Sequence, residues 1–126
     1  MVQQDRFTAA RLAAQTFHCT VVLKGYGTVV ADPNGTVTVI PTGNSALARG
    51  GSGDVLLGLI TGLLAQGLPP TNAAKLGSYL HGLAADLFVL NNQSPRSLRL
   101  TTLPEYLAKA WTQLERNTPA PAPATL

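Results

Sequence analysis

Ten of the twelve glycines of this 126-residue chain fall within residues 25–67. Glycine has no Cβ, so it takes positive φ without strain and lets another group approach the main chain, at an entropic cost that an ordinary helix or strand avoids. A cluster this dense marks a stretch where the backbone itself is presented to something. The densest piece, Arg49-Gly50-Gly51-Ser52-Gly53-Asp54-Val55-Leu56, passes without a break into an apolar, helically spaced run. Any fold open to this chain must therefore hold a glycine loop at the start of an apolar helix.

The other elements are arranged around that loop. Asp5 is placed to cap a helix over residues 6–17, in which Phe7, Ala10, Arg11, Ala14 and Phe17 share one face. Residues 20–23, Thr-Val-Val-Leu, suit a strand buried on both faces of a sheet. Residues 28–31 and 37–40 predict two more strands, and Asp32-Pro33-Asn34-Gly35 between them is a turn signal that makes the pair a hairpin. Residues 42–52 are too polar and glycine-rich for a regular element. A helix then starts at Gly53-Asp54, with Val55, Leu56, Leu59, Ile60, Leu63 and Leu64 on a broad apolar face and Gly58 and Gly62 on another, where they would allow close packing. Gly67 and Pro69-Pro70 stop it.

A helix over residues 72–90 follows, with Ala73, Leu76, Gly77, Leu80, Ala84, Leu87 and Phe88 as its inner stripe. Thr102 and Glu105 have capping-box spacing for a last helix over residues 103–114, whose Leu107, Ala110, Trp111 and Leu114 point inward. Residues 117–126 are a Pro/Ala tail expected to lack order, so residues 1–116 form one domain. The order is that of an α/β or α+β domain. Three short strands beside two strongly apolar helices predict a sheet face and an edge left without cover, as in a piece of a larger layered fold.

Composition narrows the function. Hydrophobic residues make up 45% and charged residues 12%, enough to build a core. Nine Lys and Arg stand against six Asp and Glu with no basic run, so the chain lacks the positive stripe that phosphate-backbone binding needs and nucleic acid is a poor first guess as a partner. The longest apolar stretch, residues 55–64, is interrupted by Gly58, Thr61 and Gly62 and falls short of the ~20 residues a membrane span needs. The single Cys19 forms no internal disulfide and fits a reducing cytoplasm. No His, Cys or acidic pair has the spacing of a transition-metal site.

The glycine loop can bind an anion. The first N–H groups of a helix lack internal partners, the helix dipole is positive there, and glycines leave room for a phosphate oxygen. It is neither a Walker loop nor a dinucleotide fingerprint. The bland alternative is a flexible loop with Ser52 or Asp54 as an ordinary cap. An acid beside a bound phosphate is electrostatically awkward unless it shares a Mg²⁺ or accepts a proton, which makes Asp54 a candidate base. Lys24 ends a strand, where open sheets place ligands, and Thr28 offers a hydroxyl; a lysine there is also commonly a solvated strand end. Asn44 and Ser45 can shape the loop or serve only as turn residues. His81 reads as a packing residue and Asp86 as a surface carboxylate.

Together these residues carry a resemblance. VVLKGYGTVV, DPNG, TGNSALARGGSGDVLLGLITGLLAQGLPP and AAKLGSYLHGLAAD, in that order, resemble the C-terminal half of the ADP- or ATP-dependent NAD(P)H-hydrate dehydratases of the ribokinase-like superfamily. The likeness covers about residues 6–86, through a KGxxT strand end, a GN-x-x-LA lead-in, GGSGDVLxG, AQG and LHG-x-A. It implies a partial αβα sandwich with nucleotide along the sheet's carboxyl edge. By resemblance, Lys24, Gly25, Tyr26, Gly27 and Thr28 line the nucleotide with Asn44, Ser45, Ala46, Leu47, Ala48, Arg49, Gly50, Gly51, Ser52 and Gly53. Asp54 then contacts the hydrated nicotinamide and takes the proton of its ring hydroxyl. ADP or ATP with Mg²⁺ phosphorylates that hydroxyl, and loss of phosphate restores NADH or NADPH. The family's full-length members are expected to be homo-oligomers.

The chain also departs from the pattern. The family's fold is about twice as long, so the resemblance implies that the first strands and much of the hydrate pocket lie before Met1. Leu100-Thr101-Thr102-Leu103-Pro104 stands where the family has a small residue followed by Asp-Leu, and Arg49 stands where a small hydroxyl residue is common. Two rivals remain: a small-molecule kinase of the hydroxymethylpyrimidine or hydroxyethylthiazole type, and a nucleotide-binding remnant without turnover.

Overall fold

A computed structural model describes residues 3–91 and 93–117. The first helix, α1 (Gln3–Phe17), has Asp5 within its first turn rather than capping it. Ala10 and Ala14 are fully buried, and their small side chains let the helix lie close against the sheet. Phe17, expected on the same face, is instead 74% exposed. Phe17 is the last residue of the helix: His18 turns left-handed (φ 52°) and the Cys19 amide returns to the Ala14 carbonyl, so the chain leaves the helix at this point.

Three strands follow, β1 (Val21–Leu23), β2 (Val29–Ala31) and β3 (Val37–Val39), in an antiparallel sheet of order β1-β2-β3. Val22 faces Val30 across the first pair and Val30 faces Thr38 across the second. The expected hairpin is present. Its turn is closed by the Asp32 carboxylate accepting from the Asn34 amide (2.8 Å) and the Asn34 side chain accepting from the Thr36 amide (2.8 Å). Burial on both faces, expected of β1, belongs instead to β2: Val29 and Ala31 pack on α1, and Val30 packs with Ile40 and Ala74 on the opposite face. As an edge strand, β1 is only half-buried.

Helix α3 (Pro70–Leu90) supplies that opposite face, so the sheet lies between α1 and α3. Pro70 is favoured in the first turn because its missing N–H has no partner there anyway. The Thr71 hydroxyl donates to Asp32 (2.6 Å) and lies 2.8 Å from that of Thr20, tying the start of α3 to the hairpin turn and to β1. The Thr71 hydrogen bond first, then the Asn34 amide and the charge of Lys75, hold the Asp32 carboxyl below its usual range against a smaller opposing effect of burial. Both sheet faces thus have helical cover, contrary to expectation, while β1 and β3 keep edges without a strand partner among the described residues.

Helices α2 (Ser52–Ala65) and α4 (Leu103–Asn117) pack on α3. Leu80, Leu98 and Leu103 are fully buried between α3 and α4, and Phe88 meets Tyr106 edge-on with centroids 5.2 Å apart. Asn117, assigned to the tail by sequence, closes α4, and the remainder of that tail lies outside the described residues. Close packing at Gly58 and Gly62 is absent: a Cβ at either would meet nothing within 4 Å. The tight approaches are at Gly77, where a Cβ would come within 2.6 Å of Ile60, and at Gly82, where it would come within 2.6 Å of the Thr42 main chain.

Candidate functional site

Two loops and one helix end meet above the sheet. The first loop, residues 24–28, leaves β1 and is shaped from below by Arg6, a buried arginine whose guanidinium donates to the carbonyls of Tyr26 (2.6 Å), Gly27 (3.3 Å) and Leu23 (3.3 Å). A Cβ on Gly25 would lie 2.8 Å from that guanidinium, and the positive φ of 152° there favours glycine as well. This role is not legible in sequence, because arginine and loop are about twenty residues apart.

The second loop follows β3 and is fastened to α3. The Thr42 hydroxyl donates to the Tyr79 carbonyl (2.8 Å), and the Asp86 carboxylate accepts from the Gly43 amide (3.0 Å) and the Asn44 side chain (2.9 Å). Asn44 also accepts from the Ala46 amide (2.8 Å), so both ends of its side chain are engaged in holding a short 3-10 turn, Ser45–Leu47. Asp86 is therefore a brace for this loop rather than a solvated surface acid.

The glycine turn between this loop and α2 is held by Ser52. Its buried hydroxyl donates to the Leu47 carbonyl (2.6 Å) and accepts from Lys24 Nζ (3.3 Å). Gly51 stands at the N-cap with φ 93°, and no side chain caps α2. Neither Ser52 nor Asp54 is thus an ordinary cap. The Ser52 amide reaches the Arg49 carbonyl (3.3 Å) and the Asp54 amide reaches that of Gly51 (3.1 Å), but the amides of Gly50, Gly51 and Gly53 donate to no group among the described residues. Lys24 Nζ lies over this turn, 3.2 Å from where a Gly53 Cβ would stand. A fixed ammonium beside the positive end of a helix is unfavourable by itself, and an anion between them reverses the sign.

A cleft of about 890 Å³ opens from this point, walled by the two loops and α3. Of the residues singled out by sequence it is lined by Lys24, Gly25, Tyr26, Gly27, Thr28, Asn44, Ser45, Leu47 and Ala48. The Tyr26 ring is 98% exposed at its mouth. Ala46 is buried among α3 and α4, and Arg49, Gly50, Gly51, Ser52, Gly53 and Asp54 lie beside the cleft rather than in its wall. Asp54 is exposed on the first turn of α2.

The cleft wall also contains Ser78, His81 and Gly82 of α3, to which the sequence reading assigned no site role. His81 is 2% exposed and its Nε2 has no hydrogen-bond partner; the Ser78 hydroxyl is likewise buried and unpartnered. Burial, and then the charge of Lys24, push the imidazole down to about 4, against a smaller opposing contact with the Ser52 carbonyl. It is neutral at neutral pH. The signal that could have found it was LHG-x-A within the resemblance. Among the described residues no three His, Cys, Asp or Glu side chains converge. The donor set at the turn is therefore one exposed carboxylate, Asp54, which suits a Mg²⁺ carried in by nucleotide phosphates and not a protein-caged ion.

The family model for NAD(P)H-hydrate dehydratase matches residues 1–109. The chain belongs to that family. As NAD(P)H-hydrate dehydratase relatives, the ADP-dependent (S)-NAD(P)H-hydrate dehydratase of Bacillus subtilis is 38% identical over 114 residues, 90% of this chain and 41% of that protein. Its counterpart from Neisseria meningitidis serogroup B is 52% identical over 86 residues, 68% of this chain and 29% of that protein. The crystal structure of the Bacillus subtilis ADP/ATP-dependent dehydratase co-crystallised with ATP/Mg²⁺ superposes with a TM-score of 0.82 at 38% identity, over 88% of this chain and 40% of that one. The chain thus spans less than half the length of each of these relatives. No helix among the described residues is long and apolar enough to cross a membrane.

Proposed function

We propose that this chain carries the phosphate-binding part of a nucleotide-dependent NAD(P)H-hydrate dehydratase with a ribokinase-like αβα arrangement. The observation that supports this most directly is Lys24 Nζ held beside Ser52 and Gly53, in the same turn whose Gly50, Gly51 and Gly53 amides donate to no group among the described residues. A terminal phosphate of ADP or ATP seated there is held by a cation, three N–H groups and a helix dipole, which also stabilise charge on a phosphoryl group in transfer. The cleft runs on from this seat past Tyr26 and Thr28, with space for the nucleoside.

In this reading Asp54 takes the hydroxyl proton of the hydrated nicotinamide as that oxygen bonds to the terminal phosphorus and the nucleotide leaves as AMP or ADP. Cleavage of the ring C–O bond then expels inorganic phosphate, and proton loss from the adjacent ring carbon restores NADH or NADPH. Mg²⁺, arriving with the nucleotide, neutralises phosphate charge. Asp54 bears no capping bond, which leaves its carboxylate available.

A chimera tests this: the part of the Bacillus subtilis dehydratase that matches this chain is replaced by the chain itself. With hydrated NADH, ADP or ATP and Mg²⁺, the chimera should regenerate reduced nicotinamide, followed by its absorbance. Asp54→Asn should cut that rate by roughly 10²–10⁴ while nucleotide still binds. An undiminished rate would remove Asp54 from the chemistry, and a stable phosphorylated product would point to a kinase.

A further inference from the structure

His81 Nε2 and the Ser78 hydroxyl are the two buried side-chain polar atoms among the described residues that find no hydrogen-bond partner, and both residues stand in the wall of the same cleft. Native interiors leave few such atoms unpaired, and those that remain call for an explanation in terms of function or a missing partner. Both face the cleft from one side of α3, one turn apart. His81 also lies directly under the phosphate seat: its ring meets the carbonyl of Ser52, the residue whose hydroxyl receives Lys24.

We propose that His81 is a proton-coupled positioning residue of the anion seat, whose hold on a proton is weakened while Lys24 faces it alone and strengthened when a phosphate group lies between Lys24 and the first turn of α2. This rests on the phosphate-seat reading above and extends it to a residue that the reading does not use. The argument is electrostatic. Burial and the nearby ammonium both disfavour imidazolium in the free protein. A di- or triphosphate brings more negative charge than one ammonium cancels, and so reverses the sign of the field at the ring. The proton comes from solvent; Nε2 has a free position for it and needs no bond broken.

Other charges do not supply that reversal. Asp54, the one charged side chain of α2, is exposed, and Asp86 on α3 is bonded to Gly43 and Asn44. Arg49, on the turn before α2, is exposed, and β2 carries no charged side chain. Glu105, Lys109, Glu115 and Arg116 of α4 are all exposed, and Glu105 is paired with Lys109 (3.4 Å).

The chain has two histidines, and His18 is exposed, so the ring signals of His81 can be titrated by NMR with His18 as an internal control. The probe is pyrophosphate, whose binding is first measured separately by calorimetry. At saturation the His81 titration should move up by about one unit or more, a tenfold or greater change in proton affinity, while His18 stays put. Lys24→Met should raise the His81 titration in the free protein and weaken pyrophosphate binding. His81→Asn, checked for folding by circular dichroism, should bind pyrophosphate with a flatter gain in affinity on acidification than the parent; the ligand's own ionisation is common to both. Pyrophosphate binding with an unmoved His81 titration overturns the inference and leaves the phosphate seat standing. An unmoved titration in free Lys24→Met also overturns it. If pyrophosphate does not bind, the seat itself falls and the inference with it.

Discussion

His81 shows how burial, with the charge of Lys24 beside it, sets the pH behaviour of the site. The folded protein protonates His81 only near pH 4, whereas the unfolded chain does so near 6.5. Between those values the unfolded state holds more protons, so acidification favours unfolding, by about 3 kcal/mol at full extent, and at neutral pH this penalty is absent. Asp32 acts in the same direction but lower on the scale: its carboxyl is held below 3.8, so its contribution is complete at neutral pH and disappears as pH falls through the folded value. Denaturation of His81→Asn should therefore show a flatter loss of stability between pH 6.5 and about 4 than the parent, with the steeper fall below that range retained. Equal slopes would place the acid sensitivity elsewhere. At this scale the sequence was only partly readable. Lys24 is legible because it ends a strand, but Asp86 reads as a surface acid because its partners, Gly43 and Asn44, are more than forty residues away. His81 was read as packing because nothing in sequence reveals that its Nε2 is left without a partner.

Elements were more legible than residues, because apolar periodicity reports them directly. All four helices and the hairpin were expected within a few residues of where they lie. The misreadings concern which neighbour each element meets. Gly58 and Gly62 look like a packing motif by spacing, yet they face open space, while Gly77 and Gly82, scattered by comparison, sit against Ile60 and the Thr42 main chain. Spacing describes one helix, whereas close approach belongs to two elements at once. The two pairs should respond oppositely to the same substitution. Gly58→Ala and Gly62→Ala, in an exposed helix interior, should each stabilise the chain by about 0.5–1 kcal/mol through reduced backbone entropy. Gly82→Ala should destabilise it by about 1–3 kcal/mol, because the obstructing atoms are backbone and cannot swing aside. Chemical denaturation of the three variants checks both signs, and stabilisation by Gly82→Ala would mean that the loop at Thr42 gives way freely.

For the whole molecule, what matters is which parts of a reaction one cleft wall can serve. The sheet between α1 and α3 fixes the two loops, and the Lys24–Ser52 bond joins the end of β1 to the start of α2, so all the groups of the proposed phosphate seat come from this chain. Asp54 stands outside the cleft wall and exposed, and the chain spans at most 41% of the dehydratases cited. Binding a phosphate needs the seat alone. Transferring it needs a second reactant held in line within about 3–3.5 Å of the phosphorus, and misplacement by about an ångström costs orders of magnitude in rate. The two tasks should therefore separate in the 126-residue chain. ADP with Mg²⁺ should release heat on titration, and Lys24→Met should abolish most of it, while hydrated NADH supplied with ADP should regain reduced-nicotinamide absorbance slowly or not at all. Efficient recovery by the chain on its own would mean that the wall seen here already positions the ring, and an absence of heat would mean that the amides at residues 50–53 do not hold a phosphate.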